Sequence, residues 1–344
     1  MRLTHFDNFR AVAIILIVVG HSFNGWQPDG VVGQVFVQII LGGTSLFVFI
    51  SGFFFHCVYA ERFTNWAFFK NRAARILVPY LMLSPLYMIV FYLLRGEVSF
   101  AFFELEVSGI NQNITNAILN ITTGQTLIGY WYIPFGMLLF SLSGLTKKYI
   151  QLAYQAQLII FLSLFLMTLY VHRPINNINP LHSIIYFYSF YLFGAHMSKY
   201  SVLYSERLKG MSWLFAILTV AVAYLMVVLD LGGNTNKASL LVWTGIDLMA
   251  LQKLMLILFF VGYLQKTDSP FILKPLKLIA TLSFGIYFLH PWVLAALSFV
   301  GKTDGTATLY SVMVTSTLAL VVSALALLVA KKIFGQKSQY LTGY

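Results

Sequence analysis

An arginine and a histidine lie on one face of the first hydrophobic segment. Arg10 precedes an apolar run that extends to Val19, and His21 follows two residues later. An α-helix turns by about 100° per residue, which places the two side chains about 20° apart around the axis and roughly 16 Å apart along it. A cation and a titratable base therefore face the same space at two different depths of the predicted membrane-spanning helix. The alternative is that Arg10 is a positive-inside anchor and His21 an interfacial polar residue.

Further charged residues occur at the start of the first and third hydrophobic segments. Asp7 lies one helical turn before Arg10, so the two side chains can form an ion pair. Lys70, Arg72 and Arg75 precede the third segment. Guanidinium groups bind phosphate well, and Arg72 and Arg75 are close enough on a helix to share one anion. Ordinary positive-inside topology is the alternative interpretation of these three cations.

A polar stripe marks the ninth hydrophobic segment. Ser283, Tyr287 and His290 follow the i, i+4, i+7 pattern of one helix face. Pro291 removes a backbone hydrogen bond and can kink the helix there. A polar face beside a kink favours a lined cavity, and helix–helix hydrogen bonding is the alternative. In the second segment, small residues favour close helix packing; they are Gly42, Gly43, Ser45, Ser51 and Gly52.

The composition is typical of a polytopic membrane protein. Mean hydropathy is +0.80, and 59% of the residues are hydrophobic while 10% are charged. The net charge of +11 does not indicate nucleic-acid binding, because the basic residues lie in short loops between apolar segments. Cys57 is the only cysteine, so an intrachain disulfide is excluded. No spacing of histidines and carboxylates predicts a metal site.

Hydropathy predicts an all-α polytopic membrane protein with about ten spans in one domain, residues 1–344. The predicted spans are 6–24, 32–57, 76–95, 130–146, 153–171, 182–199, 211–230, 245–265, 277–299 and 308–332. With the N-terminus inside, most of the 22 basic residues lie on the inner side. Lys253 falls within the eighth span, and the outer segments hold only Arg95, Arg173, Lys237 and Lys302. This bias predicts that both termini are cytoplasmic.

Five motifs give the chain a resemblance, over its whole length, to the acyltransferase-3 family of integral membrane acyltransferases. They are Arg10 followed after ten residues by His21, Phe49-Ile50-Ser51-Gly52-Phe53, Lys70-x-Arg72-x-x-Arg75-Ile76-x-x-Pro79-Tyr80, Tyr130-Trp131-Tyr132 and Ser283-Phe284-Gly285-Ile286-Tyr287-x-x-His290-Pro291. One departure concerns Trp131, which is flanked by tyrosines where the family often has Trp-Phe.

The resemblance implies transfer of an acetyl or other short acyl group from cytoplasmic acyl-CoA to a hydroxyl or amino group of a cell-surface or lipid-linked glycan. We expect His21, Arg10 and His290 to be catalytic, with His21 as the base that accepts the proton of the acceptor hydroxyl. We expect acyl-CoA to bind at Arg10, Lys70, Arg72 and Arg75. Asp7, Ser283, Tyr287 and Trp131 are expected to line the cavity.

The expected partners are the lipid bilayer, the glycan and acyl-CoA as co-substrate, with no permanently bound cofactor, no metal and no nucleic acid. We expect a short form without a fused extracytoplasmic domain, located in a bacterial inner membrane. Direct transfer and a transient acyl-histidine are both open. A secondary transporter or polysaccharide flippase is the alternative function, since Asp247 and Lys253 are predicted to be buried, but transporters commonly show internal repeats and none is evident. A membrane scaffold explains neither the in-phase pair nor the inner arginines.

Overall fold

The computed structural model describes residues 4–23, 25–96, 98, 109–231, 236–237, 240, 242–266, 270–300 and 307–343. These residues form a helical bundle, with one short parallel bridge between β1 (Arg173–Pro174) and β2 (Asn236–Lys237). The helices are α1 Thr4–His21, α2 Val31–Ile40, α3 Thr44–Phe54, α4 Asn65–Arg72, α5 Val78–Arg95, α6 Gly109–Thr123, α7 Tyr132–Ser141, α8 Ser143–Gln151, α9 Tyr154–Val171, α10 Pro180–Lys199, α11 Ser201–Val228, α12 Leu248–Tyr263, α13 Pro270–Val300, α14 Leu309–Phe334 and α15 Ser338–Thr342.

Seven helical segments of the described chain are long and apolar enough to cross a membrane. They are Val31–Tyr59, Asn65–Leu94, Tyr154–Val171, Ser201–Val228, Leu248–Lys266, Lys274–Phe299 and Leu309–Thr342. This confirms an integral membrane protein built from helices. The remaining predicted spans correspond to α1, α7 and α10: α7 is short, and α1 and α10 carry polar residues at their ends. The count of ten and the cytoplasmic location of both termini therefore stay predictions.

Several predicted spans are interrupted. The second is broken between α2 and α3, where Gly42 adopts φ +74°, a left-handed conformation that glycine takes without steric cost. Lys253 from α12 donates hydrogen bonds to the carbonyls of Gln38 (3.2 Å) and Ile39 (2.7 Å) at the end of α2. These bonds satisfy carbonyls that a helix end leaves without a partner. The third span begins earlier than predicted, at α4, and continues through the π-helical turn Ala73–Leu77 into α5.

Helix α1 is enclosed by the bundle and packs against α3, α13 and α14. Its apolar side chains, among them Phe9 and Ile14, belong to the main hydrophobic core. Helices α3 and α10 cross at Gly52 and Gly194, where a Cβ atom on either glycine would collide with the backbone of the other helix. The predicted packing role of the small residues in the second span is thus seen at Gly52.

Candidate active site

One cavity of about 480 Å³ connects the predicted site residues of several helices. The same cavity wall contains Arg10 and His21, the two residues of α1 that the sequence places in phase. Other predicted residues that line it are Asp7, Arg72, Arg75, Trp131, Ser283 and Tyr287. Lys70 is exposed and is not part of the cavity wall. His290 lies directly behind the wall, in contact with His21.

The imidazoles of His21 and His290 are hydrogen-bonded, with His21 Nδ1 2.9 Å from His290 Nε2. Their rings are stacked, with centroids 5.2 Å apart. His290 is fully buried, and its Nδ1–H donates a 2.8 Å hydrogen bond to the carbonyl of Ile286. A carbonyl can only accept, so this bond places a proton on Nδ1 of His290.

The bond to Ile286 determines the tautomer of both rings. In a neutral His290, Nε2 carries the lone pair and accepts a hydrogen bond from Nδ1–H of His21. The proton of a neutral His21 is then on Nδ1, and its Nε2 is unprotonated. The arrangement can therefore supply a base at Nε2 of His21, held in orientation by α13.

Gly129 forms the wall of the cavity against the His21 ring. Its φ of +86° is in the left-handed region, and a Cβ atom there would lie 2.8 Å from Cε1 of His21. The hydroxyl of Tyr287 donates a hydrogen bond to the carbonyl of Gly129. Tyr130 reaches the same helix, since its hydroxyl donates a 2.8 Å hydrogen bond to the carbonyl of Phe288. The loop before α7 is thus tied to α13 beside both histidines.

The other end of the cavity is cationic. Arg10 forms an ion pair with Asp7 at 3.4 Å. Arg72 is surrounded by aromatic rings: its Cζ lies 4.7, 5.2 and 5.5 Å from the ring centroids of Tyr59, Phe68 and Phe140. These rings hold the guanidinium by cation–π contact while it faces the cavity. With Arg75 and one carboxylate, this end carries an excess of positive charge that suits an anion.

The three residues of the predicted polar stripe on α13 have different positions and contacts. Tyr287 lines the cavity and bonds Gly129, and His290 contacts His21. Ser283 also lines the cavity, but its hydroxyl donates to the carbonyl of Ala280 in its own helix. Helix α13 continues through Pro291 to Val300.

The two buried charges that fit a transporter have structural partners. Lys253 binds the carbonyls at the end of α2. Asp247 caps α12, because its carboxylate accepts the backbone N–H of Ala250 at 2.9 Å. Neither residue lines the cavity. The described contacts of Lys253 and Asp247 therefore do not favour a transporter over a catalytic function at His21.

The sequence reasoning missed Gly129, Cys57 and Arg173. Gly129 immediately precedes the Tyr130-Trp131-Tyr132 motif, and this was the signal available for it. Cys57 lines the cavity next to Tyr59 but shows no motif. Arg173 is an outer loop charge in the predicted topology, and its approach to Trp131 arises only in the folded chain. Within the described ranges, no group of three or more His, Cys, Asp or Glu side chains is arranged to hold a metal ion.

Comparison with known proteins gives one family. The family model described as acyltransferase domain, that of the acyltransferase-3 family, matches residues 3–330 of the 344-residue chain. No curated protein and no solved structure matches the chain.

Proposed function

Since the chain belongs to the acyltransferase-3 family, we propose that it transfers an acetyl or other short acyl group from cytoplasmic acyl-CoA to a hydroxyl or amino group of a cell-surface or lipid-linked glycan. The observation that carries this proposal is the single cavity that contains both the cationic end and His21. The donor and the acceptor can meet in such a cavity without either crossing the bilayer completely.

The cationic end supports an acyl-CoA donor. CoA carries several phosphate groups, and guanidinium groups bind phosphate through charge-assisted, often paired hydrogen bonds. Arg10, Arg72 and Arg75 line this end. On α1, Arg10 and His21 are roughly 16 Å apart along the axis, which is comparable to an extended pantetheine arm. A thioester can therefore reach His21 while the phosphates stay with the arginines.

His21 is proposed as the general base. Its Nε2 accepts the proton of the acceptor hydroxyl while the hydroxyl oxygen bonds to the acyl carbon. The carbon–sulfur bond of the thioester then breaks, and the CoA sulfur takes the proton from His21. The products are the acylated glycan and CoA with a free thiol. His290 keeps the proton of His21 on Nδ1 throughout.

A transient acyl-histidine is the second route for the same residue. In that case Nε2 of His21 bonds to the acyl carbon before the acceptor arrives, the carbon–sulfur bond breaks and CoA leaves as the thiolate. The acceptor oxygen then bonds to the acyl carbon, the bond to Nε2 breaks, and the hydroxyl proton balances the thiolate charge. Incubation of the purified protein with acetyl-CoA and without acceptor separates the two routes. Mass spectrometry would detect an acetyl group on His21 only if the covalent route operates.

The reaction is tested most directly by release of CoA thiol. Cys57 is the only cysteine, and Cys57→Ser therefore gives a protein background without thiols. We expect the purified variant in lipid vesicles to release CoA thiol from acetyl-CoA when glycan is present, and purified Cys57→Ser/His21→Ala not to do so. Mass spectrometry of surface glycans from cells with and without the protein would identify the acyl group and the acceptor together. Substrate movement that needs no acyl-CoA and continues in His21→Ala would contradict the proposal.

Donor binding has a separate test because Cys57 lines the cavity. Acetyl-CoA, whose sulfur is blocked, should slow maleimide labelling of Cys57 in the otherwise unmodified protein. Adenosine, which lacks the phosphates, should protect less, and Arg72→Ala should weaken the protection by acetyl-CoA. Equal labelling with and without acetyl-CoA would place the donor elsewhere.

The bacterial inner membrane is the proposed location of the protein, since both acyl-CoA and lipid-linked glycans are available there.

A further inference from the structure

A strained, buried turn follows α9. His172 has φ +58° and ψ 174°, a region of backbone conformation essentially restricted to glycine. Its Nε2–H donates a 2.9 Å hydrogen bond to the carbonyl of Gly245, and its own carbonyl accepts a 3.2 Å bond from Nε2–H of His182. The backbone N–H of Asp247 donates to the carbonyl of Leu169 at 2.9 Å. These contacts from three segments hold an unfavourable conformation in place.

The turn directs Arg173 into the protein. Arg173 is only 8% exposed, and its Nε–H donates a hydrogen bond to the side-chain oxygen of Asn177. Its Cζ lies 4.9 Å from the ring centroid of Trp131 and 5.8 Å from that of Phe187. Burial lowers the pKa of Arg173 to about 10, so the side chain is still protonated at neutral pH.

Arg173 is connected to the reaction centre through Trp131. Trp131 lines the cavity with His21, and Gly129, two residues earlier, packs against the His21 ring. Burial has the largest influence on the protonation of His21, followed by the neighbouring His290, and the charge of Arg173 acts in the same direction. A fixed positive charge close to an imidazole disfavours the imidazolium and favours the neutral ring.

We propose that Arg173 is a positioning residue of the reaction centre, which holds Trp131 as part of the cavity wall and adds its charge to the burial that favours the neutral, base-competent form of His21. The proposal rests on the proposed function of His21 as a base. It explains why the chain maintains a strained turn and a buried guanidinium at this point, since ionisable groups in such surroundings are retained mainly for function.

Other charged groups around α1 are too few or too firmly engaged to replace Arg173. From α13, the titratable neighbours of His21 are Tyr287 and His290. Helices α2 and α3 contain no charged residue, and Lys253 of α12 is bonded to the end of α2. The remaining titratable or charged groups on the segments packed against α1 lie on its own first turns, on the 3-10 turn after α12 or at the far ends of α13 and α14; they are His5, Asp7, Arg10, Lys266, Lys274, Lys277, Lys331 and Lys332.

The test measures the protonation of His21 without requiring turnover. Diethyl pyrocarbonate modifies imidazole only in its neutral form, so the rate at which His21 is modified, identified by tandem mass spectrometry, reports its titration. We expect Arg173→Gln to move this titration measurably toward higher pH, because a cation that disfavours the imidazolium has been removed. Arg173→Lys keeps the charge and should leave the titration close to that of the unmodified protein.

A parallel measurement links the titration to activity. In acyl transfer, the acidic limb of the pH–rate profile should move in the same direction in Arg173→Gln and stay in place in Arg173→Lys. Arg173→Lys should still lower the rate about tenfold or less, because lysine lacks the planar group that stacks on Trp131. If Arg173→Gln fails to fold, Arg173→Met supplies an uncharged side chain that can pack between Trp131 and Phe187.

The outcomes separate the two proposals. A folded Arg173→Gln or Arg173→Met protein with an unchanged His21 titration overturns the role of Arg173. A shifted titration in a protein that shows no acyl-CoA-dependent activity retains the electrostatic role and removes the proposed function. Equal shifts in Arg173→Lys and Arg173→Gln would also overturn the proposal, since the charge would then not be the cause.

Discussion

His21 and His290 are 269 residues apart in the chain, and their ring nitrogens are 2.9 Å apart in the structure. The carbonyl of Ile286 fixes the proton of His290 on Nδ1, and this leaves His21 with a free lone pair on Nε2. The two residues therefore have different roles, although they are chemically the same. His21 borders the cavity, and His290 orients the His21 ring from the side away from the cavity.

His21→Ala is expected to abolish acyl transfer, because it removes the base. A positioned base typically contributes about 10²–10⁴ in rate, and we expect a loss of at least this size in CoA thiol release. The variant should remain folded, since His21 is partly exposed to the cavity. Its thermal unfolding and membrane insertion provide the control. Activity like that of the unmodified protein in a folded His21→Ala would exclude this residue as the base.

His290→Ala is expected to impair transfer less than His21→Ala does. The change removes the hydrogen bond that orients His21, which corresponds to about 1.5–3 kcal/mol, or roughly ten- to a hundredfold in kcat. The donor KM should change little, because His290 does not line the cavity. Steady-state kinetics of both variants, prepared in parallel, check the order. An inactive His290→Ala beside an active His21→Ala would reverse the assignment.

The sequence was sufficient for features that depend on one helix. The in-phase pair on α1 and the stripe on α13 follow from helical periodicity, and the structure places residues of both along one cavity. The helical membrane class follows from hydropathy. The family match likewise agrees with motifs that can be read along the chain.

Features that depend on contacts between distant segments could not be predicted. Lys70 and Arg72 are two residues apart, and only the path of α4 decides that Arg72 faces the cavity while Lys70 is exposed. Before the break at Gly42, the carbonyls at the end of α2 accept hydrogen bonds from Lys253, which is 211 residues beyond Gly42. Gly129 acquires its role from the His21 ring that packs on it.

Gly129→Ala is expected to lower kcat about tenfold or more. The new Cβ would lie 2.8 Å from Cε1 of His21, and the left-handed backbone adds about 1–2 kcal/mol of strain for any other residue. Gly96→Ala is the matched control, because Gly96 has a similar φ of +79° and nothing within 4 Å of its Cβ position. The kinetics of the two variants isolate the contact with His21. Equal losses of activity in both would attribute the effect to backbone strain alone.

Arg10→Ala is expected to weaken acyl-CoA binding. Loss of one charge-assisted contact corresponds to about 1.5–3 kcal/mol, or roughly a ten- to hundredfold higher Kd for CoA. Arg10→Lys should recover little, since lysine offers a point charge in place of the planar fork. Lys70→Ala provides the comparison, because Lys70 is equally cationic but lies outside the cavity wall. Calorimetric titration with CoA measures all three variants, and unchanged affinity in Arg10→Ala would give Arg10 a structural role.

Gly52→Ala is expected to destabilise the bundle and to disturb the cavity. The added Cβ would collide with the backbone of Tyr191, so α3 and α10 must separate. Forcing extra atoms into a packed interior typically costs about 1–3 kcal/mol. Helix α3 also contributes Ser51 and Phe54 to the cavity wall, and a displaced α3 should therefore lower acyl transfer in the protein that remains folded.

Gly210→Ala in α11 is the matched control, because Gly210 has open space at its Cβ position, and alanine there should stabilise the helix by up to about 1 kcal/mol. Thermal unfolding in detergent, followed by circular dichroism, should show a lower midpoint for Gly52→Ala and an equal or higher one for Gly210→Ala. A Gly52→Ala protein as stable and active as the unmodified protein would mean that the α3–α10 crossing can widen without affecting the site.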